Sequence, residues 1–281
     1  MKIALTGASG FVGSHLLPLL RAHKDVEVIS LDLKDGVDLC NWESVKDIRA
    51  DLFIHLANRS YVPASYEEPR LFFDTNVNST LNVLELARLS GARVIYFSSY
   101  IYGHPEYQPM DENHPTQAFN PYATTKVMCE EMCKGYARDL KVPVCVFRPF
   151  NIYGKGQSPN FLISMIAEQV KTGRVQVRDD RPKRDYIHIN DIVSAVDYMA
   201  FCEWPTTYAV YNLGTGESHS VREVAQTMIR LTGRNIEYVA TGETRPNEVL
   251  DTIADISKLR ALGWSPKVTL EEGLREMIAE N

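Results

Sequence analysis

The sequence predicts an α/β protein built on a doubly wound parallel sheet, with a smaller lobe toward the C-terminus. Three observations predict it: short apolar runs alternate with helical segments, a glycine-rich turn follows the first run, and 44% of the 281 residues are hydrophobic. Alternating strands and helices form a parallel sheet that helices cover on both faces. Such a sheet binds its ligands at the carboxyl ends of its strands.

The apolar runs predict five strands, near residues 2–6, 26–31, 51–56, 92–98 and 143–148. Helical patterns lie between these runs and after them, over 11–22, 69–90, 120–140, 159–172, 221–231 and 270–279, and 174–178 is extended. The regular alternation stops near residue 151. We therefore expect a first domain over 1–150, which also receives about 185–215, and a second lobe over 151–281, so that the boundary is interleaved.

The turn after the first strand has the sequence Gly7-Ala-Ser-Gly10-Phe-Val-Gly13. Between a strand and a helix, three glycines allow a tight turn, the close approach of a pyrophosphate and close helix packing. Phe11 and Val12 open the helix, whose N-terminus faces the anion. This spacing predicts a Rossmann-type dinucleotide site in the first domain.

An acidic residue, Asp32, follows the second apolar run, about twenty residues after the glycines. A carboxylate at this place binds the adenosine ribose hydroxyls and repels a 2′-phosphate. We therefore expect NAD as the cofactor in preference to NADP. Lys34, two residues later, weakens that preference.

Tyr122 and Lys126 are four residues apart at the start of a helical segment, so their side chains share one face. A unit charge about 4 Å away contributes roughly 4 kcal/mol at an effective dielectric of about 20, which supplies much of the energy that lowers a phenol pKa by about three units. Ser98 ends the fourth apolar run, at the edge where ligands bind. Together the three residues predict hydride chemistry, with Tyr122 transferring the proton and Ser98 holding a substrate oxygen.

Further motifs accompany these residues, and with them the chain resembles the extended short-chain dehydrogenase/reductase family, in the group of nucleotide-sugar epimerases and dehydratases. The resemblance runs from Met1 almost to the C-terminus. It is carried by Asp38-Leu39, His55-Leu-Ala-Asn58, Thr75-Asn-Val-Asn-Ser-Thr-Leu81, Ser98-Ser-Tyr-Ile-Tyr-Gly103, Pro121-Tyr-Ala-Thr-Thr-Lys126, Arg148-Pro-Phe-Asn-Ile-Tyr-Gly154, Arg184-Asp-Tyr-Ile-His-Ile-Asn-Asp191, Tyr211-Asn-Leu-Gly-Thr-Gly216 and Arg245-Pro-Asn-Glu248.

The resemblance implies that Ser98 is the catalytic serine, Tyr122 the proton donor or acceptor, and Lys126 the residue that lowers the Tyr122 pKa and holds the nicotinamide ribose. The further cofactor contacts that it implies are Asp38, Leu39, Leu56, Ala57 and Asn76. The substrate expected is a nucleotide-diphosphate sugar, bound through Ser99, Tyr100, Asn151, Arg184 and Arg245. A chain of net charge −6 needs such local guanidinium groups to hold a diphosphate.

The residues after Ser98 limit the reaction. Family dehydratases have an Asp-Glu pair directly after this residue, and decarboxylating members have a glutamate where this chain has Tyr100; Ser99 and Tyr100 offer neither. The resemblance leaves epimerisation, most often at C4, with NADH or NADPH-dependent reduction of a 4-keto-6-deoxy nucleotide sugar as the alternative. Asp32 favours retained NAD and the epimerase. A dinucleotide sensor without turnover is a third hypothesis, which does not need all three catalytic residues.

Other features bear on partners and location. The acidic charge and the lack of a basic stripe disfavour a nucleic-acid partner, and no apolar run reaches the length that spans a bilayer, so we expect no membrane partner. Five scattered cysteines and a first strand that begins at Met1 predict reduced thiols and a cytoplasmic location. No metal site is expected, and His55 is interpreted as a structural hydrogen-bonding residue. By analogy with the family, the segments 69–90 and 120–140 predict a homodimer.

Overall fold

The computed structural model describes residues 1–244 and 248–279. The chain forms two compact units. The first comprises Met1–Gly103, Pro115–Pro149 and Val193–Tyr211, and the second comprises His104–His114, Phe150–Ile192 and Asn212–Asn281. The second unit therefore includes a short segment, 104–114, that lies within the range expected for the first domain.

The first unit is built on a six-stranded sheet. Its strands are β1 (Lys2–Thr6), β2 (Glu27–Leu31), β3 (Leu52–His55), β4 (Arg93–Phe97), β5 (Val144–Pro149) and β10 (Tyr208–Leu213). They lie in the order β10-β5-β4-β3-β1-β2, and the pairs from β2 through β5 are parallel. The first five strands agree with the apolar runs of the sequence to within two residues.

The helices of this unit are α1 (Phe11–Ala22), α2 (Trp42–Val45), α3 (Val62–Glu67), α4 (Pro69–Ser90) and α5 (Pro121–Leu140). The interiors of β3 and β5 are buried along their whole length, as expected for strands covered on both faces. Phe53 and Tyr96 are fully buried in the core that α4 and α5 cover. From β1 the chain adds β2 on one side and β3 on the other, so the topological switch point of the sheet lies between β1 and β3. In sheets of this kind, ligands bind at the carboxyl ends of the strands beside the switch point.

The second unit has three short strand pairs. Parallel pairs join β6 (Asn151–Tyr153) to β9 (Tyr186–His188) and β7 (Arg174–Val177) to β12 (Glu237–Ala240), and an antiparallel pair joins β8 (Lys183–Arg184) to β11 (His219–Ser220). Its helices are α6 (Leu162–Thr172), α8 (Val221–Thr232), α9 (Ser257–Ala261) and α10 (Leu270–Ile278), while α7 (Ile189–Phe201) begins in this unit and ends in the first.

The segment 104–114 belongs to the second unit because its backbone bonds to that unit. Met110 donates to Ile253 O at 2.8 Å and accepts from Asp255 N at 2.8 Å. Asn212 also donates its side-chain amide to Met110 O at 2.9 Å. These bonds join positions more than a hundred residues apart, and local sequence patterns do not contain such pairings.

Candidate active site

Ser98 lies directly after β4, at the carboxyl edge of the sheet. Its backbone N–H donates to Phe147 O of the neighbouring strand β5 at 2.8 Å. The residue is 4% exposed, and its hydroxyl oxygen is buried without a hydrogen-bond partner. A buried polar atom without a partner needs an explanation, and a substrate oxygen is the natural one at this edge.

The start of α5 places Tyr122 and Lys126 beside this serine. Asn120 caps the helix by accepting a hydrogen bond from Ala123 N at 2.7 Å, and Pro121 occupies the first helical position. Lys126 Nζ donates to Phe97 O at 2.6 Å and lies 5.8 Å from the centre of the Tyr122 ring. Because Phe97 immediately precedes Ser98, the lysine ties the helix to the end of the strand that presents the serine.

Burial controls the ionisation of both residues in the chain alone. It raises the pKa of Tyr122 to about 12, although a hydrogen bond with Ser99 acts in the opposite direction. It also lowers the pKa of Lys126 to about 8. From the sequence, Lys126 was expected to lower the Tyr122 pKa, but in the chain alone the cost of burying a phenolate sets the direction of the shift. The tyrosine is therefore protonated near neutral pH in the chain without cofactor.

The glycine turn forms a tight cradle at the end of β1. Gly7 has a left-handed backbone with φ 65°, and a Cβ there would stand 2.9 Å from Ala57 N. A Cβ at Gly13 would stand 2.2 Å from Gly7 O, so the helix packs onto the turn only without a side chain. Gly10 precedes α1 and supplies no side-chain cap, so Phe11 and Val12 present uncapped N–H groups. This cradle fits the diphosphate of a dinucleotide.

Asp32 lies directly after β2 and accepts hydrogen bonds from the glycine turn. Its Oδ2 accepts from Ser9 N at 2.9 Å and from Ser9 Oγ at 2.7 Å, and its Oδ1 accepts from Lys34 N at 3.1 Å. Burial alone would raise the pKa of Asp32, but these hydrogen bonds outweigh it and lower the pKa. A fixed negative charge therefore stands beside the glycine turn, where it suits ribose hydroxyls and repels a 2′-phosphate.

Four other expected cofactor residues follow β2 and β3 in the chain. Asp38 is exposed and accepts from Cys40 N at 2.9 Å, while Leu39 is buried and its carbonyl accepts from Asn82 at 2.7 Å. The N–H groups of Leu56 and Ala57 donate to Thr6 Oγ1 at 3.1 and 3.0 Å.

Asn76 is fully buried, and protein groups use both ends of its amide. It accepts from Arg59 N at 2.8 Å, and donates to Arg59 O at 3.1 Å and to Thr125 Oγ1 at 3.0 Å. Its contribution to the site is to anchor the segment after β3 to α4 and α5.

His55 serves the structure, in agreement with its interpretation from the sequence. Thr6 Oγ1 already accepts from two backbone N–H groups, so its hydrogen goes to His55 Nδ1 at 2.8 Å. Thr80 Oγ1 donates to Asn76 O at 2.7 Å, so His55 Nε2 donates to Thr80 at 3.1 Å. Burial, with a smaller effect of the Lys126 charge, lowers the pKa of His55 to about 3. The ring is therefore neutral and holds β1, β3 and α4 together.

A buried ion pair supports the catalytic helix, and the sequence analysis did not single it out. Glu130 is one turn beyond Lys126, and its Oε2 accepts from Arg148 Nη2 at 2.6 Å, with both side chains less than a tenth exposed. Arg148 also donates to Tyr102 OH at 3.2 Å. The four-residue spacing from Lys126 to Glu130 could have indicated that Glu130 belongs to this region, since both residues lie on one helix face.

The expected substrate residues divide between the two units. In the first unit, Ser99 follows Ser98, and Tyr100 N donates to Pro149 O at 3.2 Å. In the second unit, Asn151 Nδ2 donates to Asp185 O at 3.3 Å, and Arg184 forms an ion pair with Glu248 and donates to Val249 O at 2.7 Å. Arg245 lies outside the described residues.

Asp185, which the sequence analysis left unassigned, joins several segments of the second unit. Its carboxylate accepts from Thr215 N at 2.7 Å, Gly216 N at 2.9 Å and Ala254 N at 3.2 Å. Burial raises its pKa, and these hydrogen bonds oppose the rise. It therefore fixes the segment next to Arg184.

Comparison with known proteins shows the family to which the chain is similar. A family model described as GDP-mannose 4,6 dehydratase matches residues 20–277. A putative UDP-glucose 4-epimerase from Methanocaldococcus jannaschii is 30% identical, over 98% of this chain and 97% of the relative. A GDP-6-deoxy-D-mannose reductase from Pseudomonas aeruginosa is 29% identical, over 99% and 96%.

A solved structure supports the same assignment. The UDP-glucose 4-epimerase of Thermus thermophilus in complex with NAD has a TM-score of 0.86 and 30% identity, covering 99% of this chain and 98% of the other. The glycine cradle, the fixed Asp32 and the Ser98, Tyr122 and Lys126 cluster are thus found in a chain that aligns with such proteins over nearly its full length. The chain belongs to the GDP-mannose 4,6 dehydratase family, within the extended short-chain dehydrogenases/reductases, a group of NAD(P)-dependent enzymes of nucleotide sugars.

Proposed function

We propose that the protein is an NAD-dependent nucleotide-sugar epimerase that inverts C4 through transient oxidation to a 4-keto sugar. The observation that carries the proposal is the juxtaposition of Tyr122, Lys126 and the unpartnered Ser98 hydroxyl at the edge where the glycine cradle also lies. The epimerase relatives support it. The absence of an acidic pair at positions 99 and 100 argues against dehydration.

The cofactor would be held by the glycine cradle, Asp32, Tyr122 and Lys126. Bound there, its nicotinamide supplies the acceptor and then the donor of the hydride. Its positive charge when oxidised would also add to that of Lys126 and lower the Tyr122 pKa from the value near 12 that burial imposes. Cofactor binding would thereby convert Tyr122 into a competent base.

The chain's own residues would handle the proton. The Tyr122 phenolate oxygen takes the proton of the C4 hydroxyl as that carbon is oxidised, and returns it to the same oxygen when the carbon is reduced on the other face. The Ser98 hydroxyl donates to the C4 oxygen and holds it in both half-reactions. Lys126 remains charged and keeps the helix aligned with β4 through its bond to Phe97 O. Protons and hydride are both returned, so no net redox change remains.

The diphosphate of the substrate would bind to Arg184, Asn151 and Arg245, with Ser99 and Tyr100 at the sugar. Arg184 is paired with Glu248, so its guanidinium is already oriented by a carboxylate. We expect turnover with at least one of the UDP, GDP, dTDP and CDP sugars.

The alternative is an NADPH- or NADH-dependent 4-keto-6-deoxy sugar reductase, which the relative from Pseudomonas aeruginosa favours. One experiment separates the two functions. The nucleotide released on denaturation is identified by mass, and the protein is then incubated with nucleotide sugars without added cofactor. Stoichiometric NAD and interconversion of two sugars support the epimerase. An empty protein that consumes NADPH or NADH only with a 4-keto sugar makes it a reductase.

Homodimer formation through α4 and α5 is also proposed. Several large apolar side chains on these two helices are exposed by two fifths or more, namely Leu81, Leu89, Met128 and Leu140. Burial of such side chains against a second copy would be favourable. Light scattering of the purified protein tests this, and a Leu81→Lys variant should shift it toward the monomer.

We propose a cytoplasmic location as well. All five cysteines are free thiols, which suits a reducing compartment. In the part of the chain that the structure describes, no helix is both long and apolar enough to cross a membrane.

A further inference from the structure

Asn58, like Ser98, lies at the sheet edge and has a buried side chain without a hydrogen-bond partner. Both Nδ2 and Oδ1 are buried, and neither forms a hydrogen bond. A buried amide that forms no hydrogen bond costs free energy that a native structure usually avoids. The proposed transfers of proton and hydride do not involve this side chain.

The unpartnered amide does not result from a loosely held segment. On one side of it, Ala57 N donates to Thr6 Oγ1 at 3.0 Å. On the other side, both backbone groups of Arg59 bond to the amide of Asn76, at 2.8 and 3.1 Å. The backbone on both sides of Asn58 is therefore fixed, and its buried amide has hydrogen-bonding capacity that no protein group uses. A polar side chain on a fixed backbone is suited to binding a ligand.

The order of the strands identifies which part of a ligand passes Asn58. Asp32 follows β2, the glycine turn follows β1, Asn58 lies just beyond β3, and Ser98 follows β4. Going along this edge, the adenosine position comes first, then the diphosphate cradle, and the site of hydride transfer last. Asn58 lies between the last two, beside the switch point, where the link between the diphosphate and the nicotinamide ring must cross.

We propose that Asn58 binds the phosphate and ribose of the nicotinamide half of the dinucleotide, as a cofactor ligand additional to the glycine cradle. Nδ2 donates to an oxygen of this link, and Oδ1 is available to a ribose hydroxyl. The amide atoms are buried from solvent, so a hydrogen bond to the ligand meets little competition from bulk water. Asn58 thereby helps to retain the cofactor, which a redox-neutral epimerase must not release between half-reactions. This inference rests on the proposed dinucleotide-dependent function.

The test compares NAD with AMP, which lacks the nicotinamide half. Equilibrium dialysis of the full-length protein with isotope-labelled NAD, with AMP as competitor, gives both dissociation constants for the wild type and for Asn58→Ala. We expect NAD to bind about 5- to 30-fold more weakly to the variant, as for one or two lost hydrogen bonds, and AMP to be unchanged within about twofold. Equal weakening of both ligands, or no weakening of NAD, overturns the proposal.

Thermal unfolding of the nucleotide-free protein gives a second readout. Asn58 has no partner to lose, so Asn58→Ala should unfold at the wild-type temperature or above it. Asn76→Ala, in contrast, breaks three hydrogen bonds and should unfold at a lower temperature. A lower unfolding temperature for Asn58→Ala means that the amide has a structural partner, which contradicts the proposal.

An Asn58→Asp variant tests whether Nδ2 donates a hydrogen bond to the dinucleotide. It keeps the size and the acceptors but places a carboxylate beside an anionic ligand, so NAD should bind at least as weakly as to Asn58→Ala. Wild-type affinity in Asn58→Asp overturns the assignment of Nδ2 as donor. If NAD binds to the wild type through Asn58 but no nucleotide sugar turns over, this inference stands and the epimerase function fails. If NAD does not bind to the wild type, both fail.

Discussion

At the scale of single residues, the proposed chemistry depends on one phenolic oxygen. In Tyr122→Phe the ring still fills its place beside Lys126, but no group remains to move the proton. We expect kcat to fall about 10²- to 10⁴-fold while the dissociation constant for NAD stays the same. Turnover assays with equilibrium binding check this. Undiminished turnover would remove Tyr122 from the mechanism, and NAD binding without turnover in the wild type would favour a sensor.

The lowered pKa of His55 predicts that the stability of the folded protein depends on pH. Its pKa is about 3 in the folded protein and about 6.5 when unfolded, so between these values the unfolded chain binds the extra proton. The contribution of neutral His55 is complete above pH 6.5, and it decreases as the pH falls toward 3, by up to about 1.4 kcal/mol per pH unit.

The measurement is the free energy of unfolding by urea at several pH values between 4 and 7. A His55→Gln variant should be less stable at pH 7, because it loses bonds to Thr6 and Thr80, and its stability should depend less steeply on pH. The same slope in the variant and the wild type would show that His55 is not the group that titrates.

The residue patterns of the sequence predicted which residues lie together where their positions depend on local spacing. The glycine turn and the Tyr122 to Lys126 interval are of this kind. The direction of the shift in the Tyr122 pKa could not be predicted in this way, because it depends on how deeply distant segments bury the ring. A Coulomb estimate from spacing alone contains the charge of Lys126 but not the lost hydration.

At the scale of secondary-structure elements, α5 depends on the buried pair of Glu130 and Arg148. Glu130→Gln leaves an arginine charge buried without its counter-ion, so we expect a loss of about 3–5 kcal/mol in the free energy of unfolding. A Glu130→Gln, Arg148→Met double variant should recover much of this loss. Urea unfolding measures both.

The same helix offers a matched control in the pair of Arg138 and Asp139, which are 71% and 55% exposed. Asp139→Asn should lower the free energy of unfolding far less than Glu130→Gln does, because water screens an exposed pair. Equal losses from the two substitutions would contradict the assignment of Glu130 as a buried support of the helix.

Substitution by alanine can be compared at two glycines, Gly13 in the glycine turn and Gly135 in α5. Gly13→Ala forces a Cβ toward Gly7 O, so we expect it to destabilise the protein and to weaken NAD binding at least about tenfold. Gly135 lies inside α5, and its added Cβ would meet nothing within 4 Å. Gly135→Ala should therefore stabilise the protein by about 0.5–1 kcal/mol and leave NAD affinity unchanged. If Gly13→Ala binds NAD as well as Gly135→Ala does, the cradle is not the diphosphate site.

At the scale of the whole molecule, the sequence predicted the strands of the sheet because each is a short apolar run. It did not predict that 104–114 joins the second unit, since backbone bonds such as that from Met110 to Ile253 O come from positions far along the chain. The pair of Glu130 and Arg148 was missed for a similar reason: its partners lie on separate elements. What escaped prediction is thus mostly contact between distant segments, which a periodic pattern does not encode.

All the cofactor residues proposed here lie in the first unit, so NAD should stabilise that unit by mass action. At a concentration of about 100 times its dissociation constant, NAD adds about 2.7 kcal/mol to the free energy of unfolding of nucleotide-free protein. NADP at the same concentration should add less, because the ionised Asp32 repels its 2′-phosphate. Thermal unfolding with each dinucleotide measures the difference. An Asp32→Asn variant should reduce it by removing the charge, and equal stabilisation of the wild type by both would mean that Asp32 does not select the cofactor.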